Sequence, residues 1–340
     1  MRYFIDSLGQ LLGKEPQRPA MAEIAPKVQE IHRYKKANKI TLAELEVERR
    51  ANRDRGEATR WLKRRWAVLI SVNLLFVFSY YFDVQVLEGA ITASRFIGFH
   101  MADLNSALQV MLAYKHMVLN LVIGTVTVFI LWLLLGGRTF CSWVCPYHLL
   151  SEWAEKLHLW LLSKGVIKGY SFQRGVRTVF YLAFVLLTLA TGYTVFETIS
   201  PTGILSRALI YGPGVALLWV LFLLLFEVFV SRRAWCRYVC PIGMTYGLVG
   251  SVSPLRVVYM PDVCLFGGDC RTVCLVPHVL DATIMGRARD ERVPIGADCT
   301  RCGMCVDICP ASALKFEFRG LSKTTAAPTA GEGVAGYSNE

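Results

Sequence analysis

Apolar and polar positions divide this chain sharply. Charged residues punctuate the first 65 positions, and four stretches then follow with almost no charge: Trp66–Phe82, Met117–Leu135, Val176–Thr194 and Val215–Val230. Each approaches the roughly 20 apolar residues that cross a bilayer, so the pattern predicts four transmembrane helices. The connection 83–115 is half apolar and is expected to lie along the membrane surface. Residues 1–40, broken by Pro16, Pro19 and Pro26, read as loosely structured, and 41–65 as a solvated helix rich in Ala, Leu, Glu and Arg. The tail Leu321–Glu340 has the composition of a disordered segment.

Charge gives those spans an orientation. Residues 1–65 carry 16 Lys/Arg against 9 Asp/Glu, and Arg60, Lys63, Arg64 and Arg65 stand just before the first span. Arg138 follows the second, Lys164, Lys168 and Arg174 precede the third, and Arg232 and Arg233 follow the fourth, whereas 83–115 and 197–213 hold only Arg95, Lys115 and Arg207. The positive-inside rule then places both termini in the cytoplasm of a multi-pass membrane protein. The first apolar stretch, Tyr3 to Leu12, is interrupted by Asp6 and does not read as a secretory signal. A net charge of +11 in a chain 54% hydrophobic fits an anionic lipid surface. No aromatic-and-basic motif points to nucleic acid.

Chemistry enters with the eleven cysteines, all on the reducing side of that topology, where metal binding outranks disulfides. After the second span stands Arg138-Thr-Phe140-Cys141-Ser-Trp143-Val144-Cys145-Pro146; after the fourth, Arg233-Ala-Trp235-Cys236-Arg-Tyr238-Val239-Cys240-Pro241. The shared pattern, Arg-x-aromatic-Cys-x-aromatic-Val-Cys-Pro, marks a duplicated unit of two helices plus a motif. Both copies fall on one face of the membrane, around a pseudo-twofold axis along its normal. Cys141, Cys145, Cys236 and Cys240 are thus a candidate thiolate site for an Fe–S cluster, Cu(I) or Zn, or for thiol redox chemistry. The bland reading is four small residues at two tight turns. Glu227, near the end of the fourth span, is a candidate proton acceptor, or else a partner for Arg232 or Arg233.

Cys299, Cys302, Cys305, Cys309 and Pro310 complete a C-x2-C-x2-C-x3-C-P run. That is bacterial ferredoxin spacing, in which three close thiolates hold one [4Fe–4S] cluster and the fourth reaches another. A zinc knuckle is the competing reading. In the two-cluster arrangement Cys274 completes the Cys299, Cys302, Cys305 site. The second site keeps only Cys264, Cys270 and Cys309, because Gly267 occupies the remaining ligand position. It is expected to hold a [3Fe–4S] cluster, or a [4Fe–4S] cluster with a non-cysteine ligand such as Asp269; an iron-free remnant is the alternative.

The fold class expected is therefore an α-helical membrane protein. Four transmembrane helices form a duplicated two-helix unit, followed by a C-terminal two-cluster ferredoxin-like α+β domain. The boundaries are a basic segment 1–65, a membrane domain 66–255, a ferredoxin-type domain 256–319 and a tail 320–340. With these motifs the chain, over about residues 66–318, resembles the NapH/MauN group of membrane-bound ferredoxin-type proteins, which also includes the membrane part of the regulator NosR. Pro277-His278-Val279-Leu280 resembles the NapH pattern too, while Gly267 and Leu275 depart from it, and no Ser/Thr-Gly-Ala-Thr flavin site is present. The resemblance implies an electron-transfer subunit of a quinol dehydrogenase complex. It would link the quinone pool to a periplasmic respiratory or methylamine-type redox protein, directly or through a ferredoxin-type subunit. Two other functions compete: a copper reductase or maturation factor using the twin motifs, and an anchor whose clusters only staple a small domain.

Overall fold

The computed structural model describes residues 2–83, 87–96, 99–116 and 119–320. The tail 321–340 lies outside the described residues, as do Met117 and parts of the 83–115 connection. Helices α1 (Arg2–Leu11), α2 (Pro26–Ala37) and α3 (Leu42–Asp54) come first. Thr41 opens α3 with a capping box, its hydroxyl accepting from Glu44 N while the Glu44 carboxylate accepts from Thr41 N. The first 60 residues are therefore neither loose nor merely solvated. Leu11, Ile24, Val28 and Leu45 are buried, Ile24 and Val28 in the same core as the C-terminal residues Tyr259, Leu280 and Leu314.

Helix α4 (Arg60–Tyr81) begins within the basic cluster, and Asp307 caps it by accepting from Trp61 N at 2.6 Å. Arg65 turns inward, fully buried, to pair with Glu152 rather than with headgroups. An antiparallel meander of β1 (Leu87–Ala90), β2 (Ala93–Phe96) and β3 (Phe99–Ala102) leads into α5 (Leu104–Tyr114). Helix α5 does not lie on a surface. Its first turns are buried against α6 (Leu119–Leu135) and two later helices, because Asp103 caps it and also accepts from Tyr246 Oη at 2.7 Å. A short α7 (Thr139–Trp143) carries the first cysteine motif, and α8 (Pro146–Ser163) follows it.

The second half repeats this order: α9 (Val176–Thr191), short α10 (Val195–Ile199), inserted α11 (Pro201–Tyr211), α12 (Leu217–Phe229), a π-type turn at Trp235–Val239, then α13 (Pro241–Val252). Among the described residues no helix is long and apolar enough to cross a membrane, so the four transmembrane helices expected from the sequence are not seen as such. The elements stand where the apolar pattern put them, but α6, α9 and α12 have 17, 16 and 13 residues. At 1.5 Å per residue these reach about 26, 24 and 20 Å, short of a ~30 Å hydrocarbon core. Glycines in left-handed conformation end two of them, Gly136–Gly137 after α6 and Gly192 after α9. Helix α4 is longer, but its first turns hold Arg60, Lys63, Arg64 and Arg65.

A small antiparallel sheet closes the chain, with β4 (Leu255–Tyr259) between β5 (Val293–Pro294) and β6 (Leu314–Phe318). Between its strands lie two cysteine loops with one-turn helices, α14 (Asp269–Thr272) and α15 (Met304–Asp307). The protein is thus mostly helical with a C-terminal ferredoxin-like domain. A second core, built around Phe140, Tyr147, Phe196, Trp235, Ile242 and Tyr246, sits under the twin motifs. Each such buried large side chain contributes about 1.5–3 kcal/mol.

Candidate iron–sulfur centres

The two loops of the C-terminal domain are copies, offset by 35 residues: Cys264 matches Cys299, Gly267 matches Cys302 and Cys270 matches Cys305. Their backbones repeat as well. Phe266 and Arg301 both adopt positive φ (55° and 51°), and their amides point at the thiols of Cys264 and Cys299 (3.3 and 3.4 Å). Gly268 and Gly303 share nearly one conformation, φ 80° and 79° with ψ −7° in both. The loop around Gly267 has kept a cluster-binding shape although its thiol is gone.

Cys274, Cys299, Cys302 and Cys305 line one cavity with Val257, Val276, Val279 and Leu280, bringing together the four residues expected to share a cluster. Burial pushes the Cys305 thiol well up, and Cys274, Cys302 and Cys299 add to it. These crowded sulfurs would bind iron as thiolates, giving up their protons as it binds. The second site also assembles: burial raises the Cys270 thiol, with Cys264 and Cys309 as its thiol neighbours. Asp269, by contrast, is engaged elsewhere. Both its oxygens accept from Arg49, at 2.8 Å from Nε and 2.6 Å from Nη2.

The twin motifs converge as well. In both, a cysteine amide reaches five residues back (Cys145 N to Phe140 O, 3.2 Å; Cys240 N to Trp235 O, 2.9 Å). Both second cysteines hold the same extended conformation, φ −64°, ψ 115° and φ −65°, ψ 112°, before a proline that starts a helix. The arginines cross over. Arg233 Nη1 lies 3.2 Å from His148 Nε2, three residues past Cys145, and Arg138 packs on Gly243, three past Cys240. This exchange is what a pseudo-twofold axis between the motifs produces.

Cys141, Cys145, Cys236 and Cys240 line one cavity with Arg138, Arg174, Arg177, Arg233 and Arg237. Burial pushes the Cys145 and Cys240 thiols up to about 12. Arg138 Nε, Arg233 Nη2 and Trp235 Nε1 are buried donors without a hydrogen-bond partner. Unpaired buried donors are costly, and an anionic group with several acceptor sulfurs would satisfy them. Among the described residues no three His, Cys, Asp or Glu side chains stand close enough to share one ion. A cluster, which sets its irons between the thiolates, needs wider spacing than zinc or copper.

Leu275, Val276, His278, Asp298 and Thr300 of the C-terminal domain line this cavity too, and Val276 and Thr300 also line the Cys274 site. The two thiol sites therefore share a wall. Ser142 Oγ donates to Thr300 O at 2.8 Å and Trp143 Nε1 to Arg301 O at 3.2 Å, sewing the first motif to the ferredoxin loop. Asp298, just before Cys299, is the hub that sequence reasoning missed. It is buried among Arg138, Arg177 (3.0 Å) and His278 (2.8 Å). Burial works to raise its carboxyl, but the two guanidiniums and the His278 hydrogen bond hold it well below the usual range.

Glu227 is fully buried, accepting from Ser151 Oγ (2.6 Å) and Trp235 N (3.1 Å). Its expected alternative, pairing with Arg232 or Arg233, is not formed, because both arginines turn to Glu155.

Comparison with known proteins agrees with this geometry. The family described as "4Fe-4S binding domain" matches residues 117–165 and 212–257, the two motif-bearing units. The "4Fe-4S dicluster domain" matches 256–314. Ferredoxin-type protein NapH of Escherichia coli is 32% identical over 73% of this chain and 88% of its own length. NapH of Haemophilus influenzae is 28% identical over 77% and 91%. The methylamine utilization ferredoxin-type protein MauN of Paracoccus denitrificans is 32% identical over 66% and 79%. No solved structure matches. With its twin motifs and paired ferredoxin loops, the chain belongs to the NapH/MauN family of ferredoxin-type iron–sulfur electron-transfer proteins.

Proposed function

We propose that the chain is a membrane-bound subunit that passes electrons between quinol and a periplasmic respiratory or methylamine-type redox system. The observation that carries this reading is the shared wall of Val276 and Thr300 between the twin-motif cavity and the Cys274 site. Cys141, Cys145, Cys236 and Cys240 would hold one iron–sulfur cluster, Cys274, Cys299, Cys302 and Cys305 a [4Fe–4S] cluster, and Cys264, Cys270 and Cys309 a third. When bound, such clusters supply one-electron transfer. The five arginines offset their negative charge, and Leu275 and Val276 keep water out of the path.

Membrane residence is supported by the apolar side chains that α6, α9 and α12 expose, among them Ile123, Phe129, Leu134, Val179, Leu186, Leu218 and Phe222. Facing water, such surfaces would aggregate; facing lipid, they are at home. Each helix, with the apolar residues flanking it, would form one span, with both termini on the cytoplasmic side. Quinol oxidation also releases two protons. Carboxylates near the twin-motif cysteines could accept them: Asp103, near Cys141, is tied to Tyr246 Oη and, through Ser106, to Glu197, while buried Glu227 lies by Cys236.

The test is anaerobic. Menaquinol or ubiquinol added to the purified full chain should bleach its iron–sulfur absorption as dithionite does. Reduction by dithionite alone, with copper binding at the twin motifs, would instead mark a metal-handling factor and end the quinol reading.

A further inference from the structure

The N-terminal helices do more than pack on the C-terminal domain, for they meet it at the loop that lacks a cysteine. Lys35 of α2 donates to Cys264 O at 2.7 Å. A Cβ placed at Gly267 would stand 3.0 Å from both Leu45 methyl carbons of α3 and 3.2 Å from Asp269 Oδ2. Because this loop repeats the Cys302 loop, that Cβ stands where the matching cysteine's side chain would begin. Asp269 is thus the nearest ionisable group to the missing thiolate, and Arg49 of α3 holds both of its oxygens. A bidentate guanidinium–carboxylate pair is strong and directional, and it leaves the carboxylate poorly available to a metal. Leu45 fills the remaining space.

We propose that Arg49 withholds Asp269 from the open corner of the Cys264, Cys270, Cys309 site. The native protein therefore carries a [3Fe–4S] cluster there, which accepts a fourth iron only when the ion pair is broken. The chemistry balances simply. A three-iron core reduced by one electron, joined by one Fe²⁺, gives [4Fe–4S]²⁺ with no further electron moved. The released carboxylate supplies the fourth ligand, and dithionite and ferrous salt supply electron and iron. The idea rests on the iron–sulfur reading but not on the quinol reaction, so the two fail separately.

Electron paramagnetic resonance on the anaerobically purified full chain tests it. Oxidised wild-type protein should show the S = 1/2 signal of a three-iron cluster at about one spin per chain. Treatment with dithionite and ferrous ammonium sulfate, followed by desalting and mild reoxidation, should leave that signal in wild type and abolish it in Arg49→Gln. In Arg49→Gln/Asp269→Ala it should persist. Reduced [4Fe–4S] signal from the Cys274 site serves as the folding control in every variant. Wild type with four-iron clusters at both sites would overturn the proposal. So would an Arg49→Gln variant that keeps its three-iron signal. Conversion in the double variant would also overturn it, handing the corner to another oxygen such as buried Tyr259, which lies beside Cys264.

Discussion

Asp298→Asn is the most informative single change, because it removes one negative charge and almost no volume. In the native fold this carboxylate faces Arg138, Arg177 and His278, with side-chain exposures of 2%, 5%, 5% and 13%. An asparagine oxygen can still accept from both guanidiniums but cannot neutralise them. Removing one partner from a buried charge cluster costs about 3–5 kcal/mol. At about 1.4 kcal/mol per tenfold change, that lowers the folding equilibrium by roughly two to four powers of ten. Denaturant-induced loss of cluster absorbance, followed anaerobically in detergent, measures the shift. Arg50→Ala is the control. Its partner Glu46 is 3.7 Å away on an exposed face, with side chains 70% and 62% exposed, and such a pair contributes only about 0.3–0.5 kcal/mol. If Asp298→Asn matched wild type within about 1 kcal/mol, the Asp298 cluster would not be desolvated and would not tie Arg138 of the first motif to the C-terminal domain.

Other changes probe other links. Cys145→Ser/Cys240→Ser should lower bound iron by the content of one cluster while leaving the reduced signal of the Cys274 site intact; unchanged iron would show that the twin motifs bind none. Gly267→Cys alone should form a second four-iron site poorly, because Leu45 crowds the new side chain, whereas Gly267→Cys/Leu45→Ala should form it fully, as read by loss of the three-iron resonance. Glu227→Leu leaves the Trp235 amide and the Ser151 hydroxyl without their acceptor, at about 1–3 kcal/mol for each buried group. A matching drop in unfolding midpoint is expected, with Glu227→Gln milder because its amide oxygen still accepts.

The candidate centres were legible in the sequence through their cysteine spacing, since ligand geometry is written locally over a few residues. So was the duplication, whose nine-residue register survives as matching turns at Cys145 and Cys240. The role of the N-terminal segment was not readable. Its contacts depend on a few isolated apolar residues, Leu11, Val28 and Leu45, set among charges. The Arg49–Asp269 pair joins positions 220 apart, and no local pattern encodes such a meeting. Asp298 gave no signal for the same reason, as its partners come from three distant segments. Apolar content predicted where the long helices lie and nearly where they stop: α6 ends at Leu135 as expected, and α9 at Thr191, three residues short of Thr194, where Gly192 takes a left-handed conformation. Residues 104–112 read as a surface stripe because their polar members, Asn105, Ser106 and Gln109, are satisfied or enclosed only after folding.

The crossed arginines carry a last consequence. Arg233 reaches into the first repeat, whereas its twin Arg138 also leaves the pair to grip Asp298. The single ferredoxin-like domain thus engages one arginine of the pair and not the other, and the twofold relation between the motifs is broken on that side. Splitting the gene between α8 and α9 should therefore yield fragments that regain colour only when both are expressed together.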